Sequence, residues 1–426
     1  MGIKSKVKKL LPKELVQSYK KHEEQKLMLK DSKETFLYAK KLKHRQNEKV
    51  KIAFVIYMPE VWNSLKSVHD AAYEDDEIET VIVAQPWISK LGQEDQNFQN
   101  EAFEFLKESY DDVVNAYDAK QNSWFDLEAF CPDYVFYTRP YNVEYYQNYK
   151  PEAVRKYARL CWIPYGYDVI RNHITESCYN IDFLRYITNV FAPSESILKW
   201  TEKKYAEVVK QGYLHIEYMG FPRFDLYAKV RKEQRQNDGT TVVLWTPRWT
   251  SENKGIMKSN FLNYYKQFLE LAKNHLEFKI IIRPHPLMFD NYIKNGIMDK
   301  AEVEKIKTAC IEMDNIEIDE RKDYLLSIQR ADIFVSDFSS LLVEFFATGK
   351  PVIYCDSSDE FAPECKKMDD WFIHATSWNE IEEALQHNKE NEHVISSIDK
   401  NGILPLNMGN IGTDIINYLK KNHRKN

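Results

Sequence analysis

Ser339 and Ser340 stand directly before an apolar stretch, Leu341, Leu342, Phe345 and Phe346, whose spacing predicts one buried helical face; Gly349-Lys350-Pro351 ends it. Hydroxyls at a helix start, beside free N–H groups and a partial positive charge, suit a phosphate. Ser336 and Asp337 close the strand-like run Ile333-Phe334-Val335 just before them, and Glu344, about a turn further in, is placed to meet a ribose hydroxyl. A second group is Arg283-Pro284-His285-Pro286, at the end of the apolar run from Phe278 to Ile282. A strand there delivers a guanidinium and an imidazole to its carboxyl end, where two prolines stiffen the turn. His285 can hydrogen-bond a diphosphate oxygen or, if protonated, neutralise it. Arg248 follows a third such run, Val242 to Thr246, and Pro247. Serines that merely cap a helix are common, so it is the combination that points to a ligand.

Strands must place these groups, and the chain has them. From about Val50, apolar runs alternate with polar or helical stretches: 50–58, 78–85, 133–137, 160–164, 189–192 and 214–219, then 241–246, 278–283, 316–318, 332–336, 351–355 and 371–374. Residues 97–117 and 194–210 read as helical or polar. Alternation of this kind predicts parallel sheets covered on both faces. Residues 226–240 are polar and strandless, as a linker would be. A chain of 426 residues exceeds one ordinary core, so two domains are expected.

Composition narrows the function. Neither G-x-G-x-x-G nor G-x-x-x-x-G-K-[ST] occurs, and a net charge of −6 argues against nucleic acid as the main partner. The six cysteines lack C-x-x-C spacing and read as buried thiols in a reducing cytosol. With no secretory signal and no 18-residue apolar run, a cytoplasmic protein is expected. Residues 1–50 carry fourteen Lys and one Arg against six acids, with Ile3, Val7, Leu10, Leu11, Leu15 and Val16 interspersed. That basic arm could lie on an anionic cytoplasmic leaflet as a peripheral contact, or be a solvated helix.

The run Asp337-Phe338-Ser339-Ser340, with Glu344 and Gly349-Lys350-Pro351, resembles the D-[YF]-S-S…[DE]…G-K-P signature of the CDP-glycerol:poly(glycerophosphate) glycerophosphotransferase family. Arg283-Pro284-His285-Pro286 matches its R-x-H-P, Trp245-Thr246-Pro247-Arg248 resembles its P-T-[FW]-R with the arginine displaced, and Gly220-Phe221-Pro222-Arg223-Phe224-Asp225 its G-x-P-R-x-D. The resemblance spans residues 160–385 or so. It implies an α/β, GT-B-like fold of two Rossmann-like domains facing a cleft. The boundaries then read 1–48, basic arm; 49–225, acceptor domain; 226–240, linker; 241–400, nucleotide-donor domain; and 401–426, a helix packing back toward the N-terminal domain.

The implied activity moves glycerol phosphate or ribitol phosphate from a CDP-alcohol to a hydroxyl of a polymer or lipid-linked acceptor, releasing CMP. The alternative is a GT-B glycosyltransferase using a nucleotide-diphosphate sugar. Donor contacts fall to Arg283, Arg248, Ser336, Asp337, Ser339, Ser340 and Glu344, with His285 catalytic and Arg223 and Asp225 as an interdomain pair. Where the family carries W-H-G-T-P with its presumed catalytic base, Tyr165 stands here in Trp162-Ile163-Pro164-Tyr165-Gly166-Tyr167-Asp168. Tyrosine is a poor base at neutral pH. Asp168 and His173 are therefore the candidate bases, while Tyr165, Gly166, Tyr167 and His69 are expected to line the acceptor side. No D-x-D stands beside the phosphate motif, so neither a metal nor a cofactor is expected.

Overall fold

Runs rich in Val, Ile and aromatic residues form the strands, and those at the centre of each sheet are buried on both faces. The computed structural model describes residues 13–42, 48–87, 100–232, 239–250, 258–356, 361–388 and 402–423. The chain divides into two units: the first takes residues 1–165, 172–219 and 412–426, the second 166–171 and 220–411.

In the first unit the strands are β1 (Val50–Ile56), β2 (Ile78–Ala84), β3 (Val113–Asn115), the two-residue β4 (Tyr117–Asp118) and β5 (Ser123–Trp124), β6 (Tyr134–Tyr137), β7 (Arg159–Trp162), β8 (Asn189–Ala192) and β9 (His215–Tyr218). Seven of them form a sheet in the order β3-β2-β1-β6-β7-β8-β9. Every pairing in it is parallel. The order reverses between β1 and β6, so the carboxyl ends of those two strands flank a crevice at a topological switch point. Sequence periodicity had placed helix or polar chain over 97–117; the structure has a short helix, Glu101–Leu106, and then the edge strand β3.

Two helices close this unit. Lys13–Lys41 is a 29-residue helix whose second half buries Met28, Ser32 and Thr35. Arg155 locks it there, donating to the Asp31 carbonyl (2.9 Å) and the Thr35 hydroxyl (3.1 Å) and pairing with Glu34 (2.8 Å). The second half of the basic arm is thus a docked helix; Ile3, Val7, Leu10 and Leu11, and the side chain of Leu15, lie outside the described residues. The helix Ile411–His423 also belongs here, through Tyr418 to Glu217 (3.0 Å) and Lys420 to Asp75 (2.7 Å). It enters against the Ser67 backbone so closely that a Cβ on Gly412 would stand 2.2 Å from the Ser67 carbonyl oxygen.

The second unit holds β10 (Thr241–Thr246), β11 (Phe278–Ile282), β12 (Ile316–Ile318), β13 (Ile333–Ser336), β14 (Val352–Tyr354) and β15 (Ile373–His374) in the order β12-β11-β10-β13-β14-β15, again parallel throughout. Here the switch point lies between β10 and β13. Trp245 stacks on Phe268 (4.3 Å) at the centre of the core beneath it. The expected linker 226–240 begins as helix, Arg223–Lys232, because the chain turns already at Gly220, with φ +103°. Residues 233–238 lie outside the described residues.

Candidate active site

The second unit's switch point gathers several of the groups expected to meet a phosphate. β10 lies between β11 and β13, so the turns after the two outer strands stand two strand spacings apart, on the order of 10 Å. Between them runs Thr246-Pro247-Arg248. The Pro247 carbonyl accepts the His285 amide (3.2 Å), and the Arg248 amide donates to Asp337 (2.9 Å). The Arg248 guanidinium then reaches the Phe338 carbonyl (2.6 Å), immediately before Ser339. Ser339 and Ser340 are half-buried at the start of a short helix, Leu341–Phe346. The Ser339 hydroxyl accepts the Leu341 amide (3.2 Å), whereas Ser340, the N-cap residue, makes no side-chain cap bond.

His285 stands in the turn after β11 with its chemistry fixed by a neighbour. Its Nδ1 accepts the Leu287 amide (3.2 Å), which leaves the proton on Nε2. The ring has an exposed edge, yet the dense wall around it and the positive Arg248 lower its pKa to about 4. At neutral pH it is an uncharged N–H donor, not the protonated group that the sequence also allowed. A cavity of about 460 Å³ opens on the far side of His285, lined by Arg283, Lys300, Lys307 and Arg321 but not by the serines. Three of these charges are paired, Arg283 and Arg321 with Asp319 and Lys307 with Glu320.

Four expected donor contacts are corrected. Ser336 is fully buried, its hydroxyl spent on Thr246 (2.7 Å) and the Asp337 carbonyl (2.7 Å). Asp337 is buried too and accepts the Arg248 amide, the Asn260 amide (3.0 Å) and the Asn260 side chain (2.7 Å); burial raises its pKa against those bonds. It positions Arg248 and has no oxygen to offer a diphosphate. Arg283 turns toward β12, pairing with Asp319 (2.6 Å) and reaching the Arg321 carbonyl (2.5 Å). Glu344 is 0% exposed, its carboxylate taken by Arg223 (2.8 Å), Tyr227 (2.6 Å) and Tyr324 (2.7 Å). No ribose reaches it in this conformation. Arg223, expected in an interdomain pair, therefore serves inside the second unit, as does Asp225, which accepts the Gly409 (2.7 Å) and Ile411 (3.0 Å) amides. A buried ion pair of this kind tolerates loss of neither partner.

The acceptor-side residues scatter. Tyr167 packs on Phe221 (5.5 Å) and Phe224 (5.8 Å) in the second unit, and half-buried Asp168 presents its carbonyl to Cys365. Gly166 has open space around it. Tyr165 is in the first unit, half-buried, its pKa pushed up by burial, which removes it as a base. The side chain of His173 lies outside the described residues. His69 is fully buried, far from any strand's carboxyl end: its helix, Lys66–Tyr73, runs back toward the sheet's amino edge, where Asp112 precedes β3. Its nitrogens meet Asp112 (3.0 Å) and Asp70 (3.3 Å) inside a cage of Phe54, Trp62 and Tyr110. It lines no cleft.

What the sequence reading missed is a polar cluster at the first unit's switch point. Arg139, just past β6, donates to the Tyr57 hydroxyl (2.8 Å) and to Glu144 (3.0 Å), and Tyr57 donates to Glu144. The signal was available: Tyr137-Thr138-Arg139-Pro140 repeats the strand, Arg, Pro pattern of Ile282-Arg283-Pro284. Cys131, read as buried, is exposed at a left-handed turn (φ 56°).

Two units with parallel sheets, each reversing its strand order at a switch point, define a Rossmann-like, GT-B type of fold. Residues 175–362 match the sequence model of the CDP-glycerol:poly(glycerophosphate) glycerophosphotransferase family, a match that supports a phosphotransferase. No curated protein matches in sequence. Among solved structures, the wall teichoic acid polymerase TagF is similar at TM-score 0.54 and 12% identity, covering 96% of this chain and 98% of that one. A Listeria monocytogenes protein assigned as a UDP-N-acetylglucosamine 2-epimerase is similar at TM-score 0.57 and 12% identity, over 89% of this chain and 98% of its own. A complex of S. aureus MnaA with UDP gives 0.52 and 13%, over 87% and 96%. At such identities these likenesses establish the GT-B-type fold.

Proposed function

We propose that this protein transfers glycerol phosphate or ribitol phosphate from a CDP-alcohol to a hydroxyl of a cell-surface polymer or lipid-linked acceptor and releases CMP. The observation that carries the reading is that the turn holding His285 and the turn holding Ser339 and Ser340 both bond to Pro247-Arg248 at one switch point, within the segment that matches the family. The diphosphate lies along the gap between the turns after β11 and β13. The acceptor hydroxyl gives up its proton to a base, its oxygen attacks the phosphorus bearing the alcohol, the bond to CMP breaks, and the electron pair of that bond leaves with CMP. Arg248 and His285 meet the negative charge that builds on the phosphoryl oxygens, and being already in place they need no reorganisation. A TagF variant soaked with CDPG gives the fold a precedent for such a donor. The lysines of residues 1–50 favour work at an anionic cytoplasmic membrane face.

The test is to incubate the chain with labelled CDP-glycerol, CDP-ribitol or UDP-sugars and identify the nucleotide released. CMP is expected. A nucleoside diphosphate would instead show sugar transfer, and no release from any donor, together with no thermal shift by CMP, overturns the proposal.

A further inference from the structure

The first unit's switch point is a built site with its own chemistry. Arg139 stands at the end of β6 with the rings of Tyr141 and Tyr165 each 4.8 Å from its guanidinium carbon. Its Nε donates to Tyr57, at the end of β1, and one terminal nitrogen donates to Glu144. The other terminal nitrogen makes no hydrogen bond among the described residues. Gln85, just past β2, fixes the segment from below: its side chain donates to the Glu144 carbonyl (2.8 Å) and accepts the Tyr146 amide (3.2 Å). Thr138, beside Arg139 and 1% exposed, has a hydroxyl without a hydrogen-bond partner among the described residues. The arginine and glutamate side chains are 16% and 15% exposed, so water and small molecules reach both.

A guanidinium held rigid by tyrosines keeps one N–H edge for an anionic oxygen. A carboxylate beside it accepts a hydroxyl hydrogen, and burial, which lifts Glu144 to about 7, makes it a stronger proton acceptor than an exposed carboxylate. Aromatic faces take the C–H surface of a polyol. We propose that the crevice at β1 and β6 binds a phosphorylated polyol, with Arg139 on the phosphate and Glu144 accepting from a hydroxyl. This rests on the transferase reading above, since it names the acceptor chemistry of that reaction.

The probe is sn-glycerol 3-phosphate, titrated calorimetrically into the full chain with CMP present at saturation to occupy the second unit. Wild-type chain should bind it, and Arg139→Gln should bind it at least about tenfold more weakly while its own CMP affinity is unchanged. Saturation transfer from the tyrosine rings to the glycerol C–H protons in wild-type chain gives a reading that needs no substitution, and it should be positive. No heat and no transfer with wild type, or undiminished binding by Arg139→Gln, overturns the inference. A chain that binds the probe through Arg139 but ignores CMP and CDP-glycerol would instead sink the donor assignment and leave this one standing.

Discussion

With Nδ1 occupied by the Leu287 amide, and burial and Arg248 opposing a second proton, His285 enters the reaction as a neutral donor. Its own titration therefore falls near pH 4, and it contributes no acid limb to turnover between pH 5.5 and 8. His285→Ala should lower kcat by roughly 10²–10³, equivalent to about 2.7–4 kcal/mol of barrier, the loss expected for one preorganised donor. His285→Gln, which keeps an N–H donor, should recover part of it. If a pH-rate profile of wild type instead shows a limb near 6–7 that His285→Gln abolishes, the imidazole titrates and the donor role is wrong. At this scale the sequence disclosed residue types and strand ends but not partners. Ser336, Asp337, Arg283 and Glu344 all fall beside the site as read, yet each is consumed by a neighbour, Thr246, Asn260, Asp319 or Arg223, that lies 36 or more positions away in sequence. Nothing local to the motif announces such a partner.

At the scale of elements, the helix Lys66–Tyr73 is tied to the sheet's amino edge by an imidazole between two carboxylates. Both ring nitrogens of His69 face acceptors, so the charged form is favoured. Burial opposes that charge, but the bonds to Asp112 and Asp70 outweigh it and raise the pKa. A group raised on folding stabilises fully below its unfolded value, near 6.5, and that contribution is lost as pH rises through the folded pKa. The carboxyls of Asp70 and Asp112 are lowered, so their share fades only in acid. Urea midpoints of the wild type should thus fall from pH 6 to pH 9, and His69→Gln should flatten that slope. An unchanged slope in the variant would show that the imidazole is not the group responsible. Element positions were largely legible, since the strands read from apolar runs lie within a few residues of those observed. The exceptions, β3, β4 and β5, are two or three residues long and partly exposed, and β3 is preceded by a stretch whose periodicity resembled a helix. An edge strand of that length has too little hydrophobic patterning to be seen.

For the molecule as a whole, the sequence showed two parallel-sheet units, because each repeats the alternation of apolar runs and helices. It did not show which unit claims which segment. The arm is the clearest case: its composition is basic from the start, but only burial reveals that residues from Met28 onward are anchored by Arg155. Membrane attraction is therefore expected from the stretch before the anchored part. Deleting residues 1–12, which removes Lys4, Lys6, Lys8 and Lys9, should weaken sedimentation with anionic vesicles and leave the melting temperature within a degree or two of wild type. Unaltered sedimentation would rule out the arm as the contact.

The path of the chain through the two units has a consequence for biogenesis. The first unit is left at Met219 and rejoined at Gly412, so the helix Ile411–His423, which Tyr418 and Lys420 fasten to it, is translated after the entire second unit. During synthesis the nascent second sheet has all its strands while the first still exposes the surface that helix will cover. A chaperone that shields apolar surface would find its longest-lived target there, on the half of the protein made earliest.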